Sequence, residues 1–122
     1  MQLKLLVKEI ENNMFIYDTI VERMEKKNYK GKFFNFILHM MEICLANSPI
    51  DKDEINYKLL DLYDMIRTTD NLINTINGLS GVPEASIEEF VKTCANNYKK
   101  NQKFMVDIIE MIKLYEQSIE LH

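Results

Sequence analysis

The sequence predicts an all-α protein, a four-helix up-and-down bundle with a short central apolar helix and a long C-terminal helix, forming a single domain over residues 1–122. Three observations lead there. Through three long stretches the apolar residues recur at alternating three- and four-residue steps, the period of a helix face rather than of a strand. Short clusters of breakers, around Gly31, Pro49 and residues 78–85, separate these stretches, and short connections favour neighbouring helices that reverse direction. A fourth stretch, 33–46, is apolar except at Asn35, His39 and Glu42, whose i, i+4, i+7 spacing makes one narrow polar stripe on a helix otherwise surrounded by neighbours.

The first helix is expected over residues 2–27. Leu3, Leu6, Ile10, Tyr17, Val21 and Met24 form its seam, with Asn13 or Met14 filling the gap, while Phe15, Ile16 and Ile20 widen the apolar face beyond a two-helix contact. Lys26 and Lys27 suit the negative end of the helix dipole, and Gly31 permits the turn that follows. The central helix over 33–46 is too short to cross a bilayer and reads as a core helix. Asn47-Ser48-Pro49 stops it, because proline lacks a donor and pushes its predecessor out of helical geometry.

Asp51, with Glu54 three residues on, reads as the N-cap of a third helix starting near Lys52 and ending at Asn77-Gly78. Its seam is Ile55, Leu59, Leu62, Ile66, Thr69, Ile73 and Ile76, and Thr68-Thr69-Asp70-Asn71 is its weakest part because these are poor interior helix formers. Residues 78–85, with Gly81 and Pro83, are the clearest break. Ser86 and Glu89 then make a Ser-x-x-Glu capping box for a fourth helix running to about Ile119, roughly 50 Å at the usual rise. Its seam passes through Val91, Cys94, Tyr98, Asn101, Met105, Ile108 and Ile112. Asn101 on that seam, within the polar run 96–103, implies a kink, a solvent-facing span or a polar contact between subunits. Long helices overhanging a short central one leave apolar seams to cover, so a homodimer is expected.

Composition narrows the function classes. Charged residues are 28% and apolar residues 47%, the balance of an ordinary globular domain rather than a disordered chain. The N-terminal stretch is broken by Lys4, Lys8 and Glu9 and has no cleavage signal, so a cytoplasmic protein without a membrane anchor is expected, with Cys44 and Cys94 as free, buried thiols. Eight methionines, among them Met40, Met41, Met105 and Met111, read mainly as core. A net charge of -4 and thirteen lysines against two arginines argue against a dedicated nucleic-acid reader, which leans on basic surface and on bidentate arginine. The abundance of Lys, Asn and Ile fits an AT-rich genome, such as a low-GC bacterium or its phages.

Catalytic sites in helical bundles are built from inward-facing carboxylates and histidines. Apart from terminal His122, the chain has only His39, followed by Glu42 in the order His-x-x-Glu, which supplies too few ligands for an iron or zinc centre. Glu42 opposite Asp61 and Asp64 is the one arrangement that suits Mg2+, which needs few direct protein ligands. The Asp-x-x-Asp at Asp61 and Asp64 resembles part of the pattern of the all-helical MazG-type nucleotide pyrophosphohydrolases, which carry paired Glu-x-x-Glu and Glu-x-x-Asp motifs. That resemblance implies Mg2+-dependent nucleotide hydrolysis, but the chain has Asn35, His39 and Glu42 where the first carboxylate pair belongs.

Lys26, Lys27, Lys30 and Lys32 around Tyr29, and Lys92, Lys99 and Lys103 on the fourth helix, make a basic surface able to touch phosphates. In size and helical content alone the chain is similar to the small helical subunits of RNA-guided effector complexes. Asp51, Asp53, Glu54, Glu116 and Glu120 collect towards the other end, so the molecule is expected to be electrically polarised. Tyrosine combines contact area with a polar tip, which makes Tyr57, Tyr63, Tyr98 and Tyr115 candidates for an interface.

The reading that remains is a non-enzymatic protein-protein interaction module, such as an adaptor, immunity-type protein or inhibitor, with no cofactor and no metal. Tyr29, Lys30, Lys32, Tyr98, Lys99, Lys103 and Tyr115 are its candidate partner-binding residues. A nucleic-acid-associated subunit and a Mg2+-dependent pyrophosphohydrolase are the alternatives.

Overall fold

A computed structural model of the chain describes residues 2–47, 49–78 and 81–121; Ser48 of the stop motif, residues 79–80 of the 78–85 break and His122 lie outside them. The described residues form four helices and no strands: α1 (Gln2–Glu25), α2 (His39–Asn47), α3 (Asp53–Gly78) and α4 (Glu84–Glu120). α1 pairs most extensively with α4, α3 packs on α4, and α2 touches both α1 and α3. Among the described residues α1 and α3 never approach backbone to backbone.

The expected seams make the core. Leu6, Ile10 and Tyr17 of α1, Leu59, Leu62 and Ile66 of α3, and Met105, Ile108 and Ile112 of α4 are all buried, while Val21 and Met24 of the α1 seam are half-buried and Ile16 and Ile20 beside them are buried instead. In α1 the gap in the seam is filled by Asn13, which is fully buried, rather than by Met14. Met41 and Met105 are buried, and Met40 and Met111 pack against the core, as ordinary core methionines do. Cys44 and Cys94 are free and buried. Two aromatic contacts tie the middle of the bundle together: Tyr17 stacks on Tyr98 with ring centroids 4.8 Å apart, and Phe36 tilts against Tyr17 at 4.5 Å.

Three local readings change. α4 begins at Glu84 behind Pro83, with no side-chain cap, so Ser86 lies inside the first turn and donates its main-chain N–H to Pro83 instead of forming a capping box. α3 begins at Asp53, and Asp51 gives its N–H to the Tyr115 hydroxyl at 2.8 Å, joining the start of α3 to the far part of α4. α4 is a single helix through residues 96–103; the Asn101 carboxamide donates back to the Asn97 carbonyl at 2.8 Å and stays within its own helix.

The largest change lies at the stretch expected to form the central helix. Residues 33–38 are not helical, and α2 starts only at His39. Aromatic residues lose rotamer freedom in a helix. More importantly, the main chain here has partners elsewhere. Phe33 donates its N–H to the Asn77 carboxamide and accepts from it at its carbonyl, both at 2.9 Å. Ile37 does the same with Asn13, at 2.8 and 2.7 Å, and Phe36 gives its N–H to Asp70 at 2.8 Å. Side chains from α1 and α3 thus satisfy the donors and acceptors a helix would otherwise have paired. The segment fills the space between those two helices.

Candidate functional site

The non-helical segment places its side chains in a three-residue rhythm. Phe33 and Phe36 point inward and are buried, while Phe34 and Ile37 point out, 67% and 46% exposed. Phe15 of α1, also expected in the core, is instead 65% exposed and joins them. Phe15, Phe34 and Ile37, with Asn12, Ile16 and Asn35, line a shallow depression of about 300 Å³. Asn35 is held at its edge by Asp70 and Asn74, at 3.0 and 2.6 Å.

Below this face the segment is anchored by Glu9. Its carboxylate is buried and accepts the N–H groups of Met40 and Met41 at 2.8 and 2.9 Å, so α1 supplies the N-terminal cap of α2. Burial pushes the Glu9 carboxyl above its usual range, with the two N–H groups pulling the other way. A sequence reading places Glu9 among charges that break up an apolar run. Nothing nearby in sequence reveals its role as a cap, because the amides it serves lie 31 and 32 residues away.

Above the face, Arg23 shapes the turn after α1. Its guanidinium donates to the carbonyls of Asn28, Lys30, Gly31 and Lys32 and lies 3.7 Å from the centroid of the Phe33 ring. One planar fork therefore gathers four carbonyls, which a lysine could not do. Lys27 with φ 51° and Gly31 with φ 84° provide the reversals. Lys26, Lys27, Lys30 and Lys32 are all exposed around this turn. Lys26, paired with Glu22, and Lys30 and Lys32 line a second hollow whose wall is Phe34. A basic rim therefore adjoins the apolar face.

The structure divides the sequence-derived candidates. Lys30 and Lys32 sit together beside Phe34. Tyr29 is buried, and Lys99 and Lys103 are exposed on α4 and do not line that hollow. Tyr98 is buried in the stack with Tyr17. Tyr115 is half-buried and engaged with Asp51. The buried tyrosines serve packing, and the exposed aromatic of the basic turn is Phe34, which sequence periodicity had assigned to a helix face. At the opposite end Asp51 lies close to Tyr115, but Lys4 and Lys113 line a hollow with Glu116, so that end carries both signs of charge.

For the nucleotide-hydrolase alternative, Glu42 accepts a hydrogen bond from the Tyr63 hydroxyl at 3.1 Å, and Asp61 and Asp64 are exposed on α3. Among the described residues no three His, Cys, Asp or Glu side chains lie together in a way that could hold a metal ion. No helix among them is long and apolar enough to cross a membrane.

No family model matches this chain, and no curated protein and no solved structure matches it.

Proposed function

We propose that the chain is a non-enzymatic interaction protein that binds a protein partner through the Phe15, Phe34 and Ile37 face and its lysine rim. One observation carries this reading: the segment presenting Phe34 and Ile37 is held out of helical form by Asn13, Asp70, Asn77 and the Glu9 cap, and the result is an exposed apolar face. Conflict between local preference and the global fold is expected where a surface has a task. A fixed apolar centre with a charged rim is the usual anatomy of an interface. The rim of Lys26, Lys27, Lys30 and Lys32 suits a partner with carboxylates around an apolar side chain.

The same reading takes the bundle as up-and-down, with the 28–38 segment and α2 together filling one position, and the protein as cytoplasmic. It also takes it as a homodimer, supported by further exposed apolar residues such as Leu114 and Tyr57 away from the partner face.

Pull-down of the tagged protein from its own host tests the reading when wild type is compared with Phe34→Ser and Phe15→Ser. Both side chains are exposed, so stability should change by less than about 0.5 kcal/mol. Each should weaken binding by about 2 kcal/mol, roughly thirtyfold in Kd. A stoichiometric protein that is lost in both variants supports the reading. A partner retained by both, or a ligand that proves to be nuclease-sensitive and steeply salt-dependent, overturns it in favour of a nucleic-acid-associated subunit.

A further inference from the structure

A further concavity, separate from the partner face, lies between α3 and α4. It encloses about 390 Å³, within the range of small-molecule sites. Its floor is aromatic and fixed: Tyr17 is stacked on Tyr98 and its hydroxyl is engaged with Thr69 at 3.3 Å. The two walls run in opposite senses, since Lys58 of α3 lies over the Phe104 ring of α4 and Asp51 reaches Tyr115. Leu72 therefore faces Phe90 at one end, and Asp64 faces Asn101 at the other.

That order gives the groove a direction. From Leu72 to Asp64 along α3 is about 12 Å at the usual helical rise, with an apolar pair, Leu72 and Phe90, at one end and a polar pair, Asp64 and Asn101, at the other. Among the described residues the one charged side chain in the lining is the Asp64 carboxylate, and no lysine or arginine contributes. Asn101 spends one of its two amide N–H groups on Asn97, and its carbonyl oxygen accepts at the same end of the groove as Asp64. Acceptors at one end, rings along the floor and an apolar far end together suit a cation with an apolar body and repel an anion.

We propose that the α3/α4 groove binds a small amphipathic amine, its apolar or aromatic body between Leu72 and Phe90 and its ammonium group at Asp64 and Asn101. This does not depend on the partner face and assigns the molecule a ligand site in addition to it.

The test uses the full chain and three probes of matched shape: tryptamine, its anionic counterpart indole-3-propionate, and neutral 3-ethylindole. Binding is followed by amide chemical shifts. Tryptamine should move the signals of Thr69, Cys94 and Asn97 and bind at least about tenfold more tightly than indole-3-propionate. Asp64→Asn should lower tryptamine affinity about tenfold and leave 3-ethylindole unchanged, and Leu72→Ser should weaken all probes that bind. Asp64 and Leu72 are both exposed, so neither variant disturbs the core. Equal affinity for amine and acid, tryptamine binding that is indifferent to Asp64→Asn, or no shifts in the groove up to roughly 5 mM overturns the proposal.

Discussion

Replacing Asn13 by alanine removes both hydrogen bonds that hold Ile37, one donated by its N–H at 2.8 Å and one accepted by its carbonyl at 2.7 Å. Two main-chain groups then lose their partner at the point where the segment crosses α1. An unsatisfied buried polar group costs about 1–3 kcal/mol. Truncating a fully buried side chain adds a cavity, but Ile37 is near the surface and water recovers part of the loss. The net destabilisation should be about 3 kcal/mol, a large share of the roughly 5–15 kcal/mol that holds a domain together. At a urea m-value of about 2 kcal/mol/M, the midpoint falls by about 1.5 M.

Asn13→Leu separates the contributions, since it strands the same two groups while keeping most of the volume. Asn13→Asp keeps an acceptor for the Ile37 N–H but sets a carboxylate oxygen against the Ile37 carbonyl, and should be at least as costly as alanine at neutral pH. Urea unfolding followed by circular dichroism gives the free energies, and native-state amide exchange at Ile37 and Met40 shows whether the loss begins in this segment. If the alanine and leucine variants both unfold within about 0.5 kcal/mol of wild type, with Ile37 protection unchanged, the clamp carries no weight and the reasoning fails.

Two further outcomes follow from buried titratable groups. The Glu9 carboxyl titrates higher in the folded chain than its ordinary 4.5, so folding favours its protonated form; that contribution is complete below 4.5 and is lost as pH rises through the folded value. Wild type should therefore gain stability relative to Glu9→Gln on going from pH 7 to 4.5, and a difference in urea midpoint that stays constant over that range would contradict the burial of this carboxylate. Burial pushes the Cys94 thiol up to about 12 and also raises Cys44, where the Glu9 charge adds to the effect. At pH 8 an aromatic disulfide reagent should label neither thiol until urea unfolds the chain; rapid labelling of the native protein would refute that packing.

The parts of the fold legible in the sequence are those decided by neighbours a few residues away. The seams of α1, α3 and α4 follow from helical periodicity, and so does the break at 78–85. The conformation of residues 33–38 was not legible, because its partners Asn13, Asp70 and Asn77 lie 24 to 44 residues distant and each looks, in its own helix, like an ordinary polar position. One signal was present. The weak stretch Thr68-Thr69-Asp70-Asn71 holds Thr69, which meets Tyr17, and Asp70, which meets Phe36, so poor helix formers mark where a helix spends side chains on another part of the chain. The candidate face was half legible: Lys30 and Lys32 were found as charges, whereas Phe34 was hidden by an assumed helix and Tyr29 and Tyr98 by the assumption that tyrosine belongs outside.

The pairing of α1 with α4 has a consequence for how the chain is made. Residues of α1 find their main support on α4, as Tyr17 does on Tyr98, so α1 leaves the ribosome well before the helix on which it rests. At about 5–20 residues per second, α1 waits roughly 5 to 20 s with its apolar face uncovered. The α3 and α4 hairpin closes over a short connection and can form first, offering a surface on which α1 later settles. Residues 33–38 cannot be locked before that docking, because their clamp needs Asn13 from one side and Asp70 and Asn77 from the other. The Phe34 face is thus assembled last, and a nascent or half-folded chain does not display it.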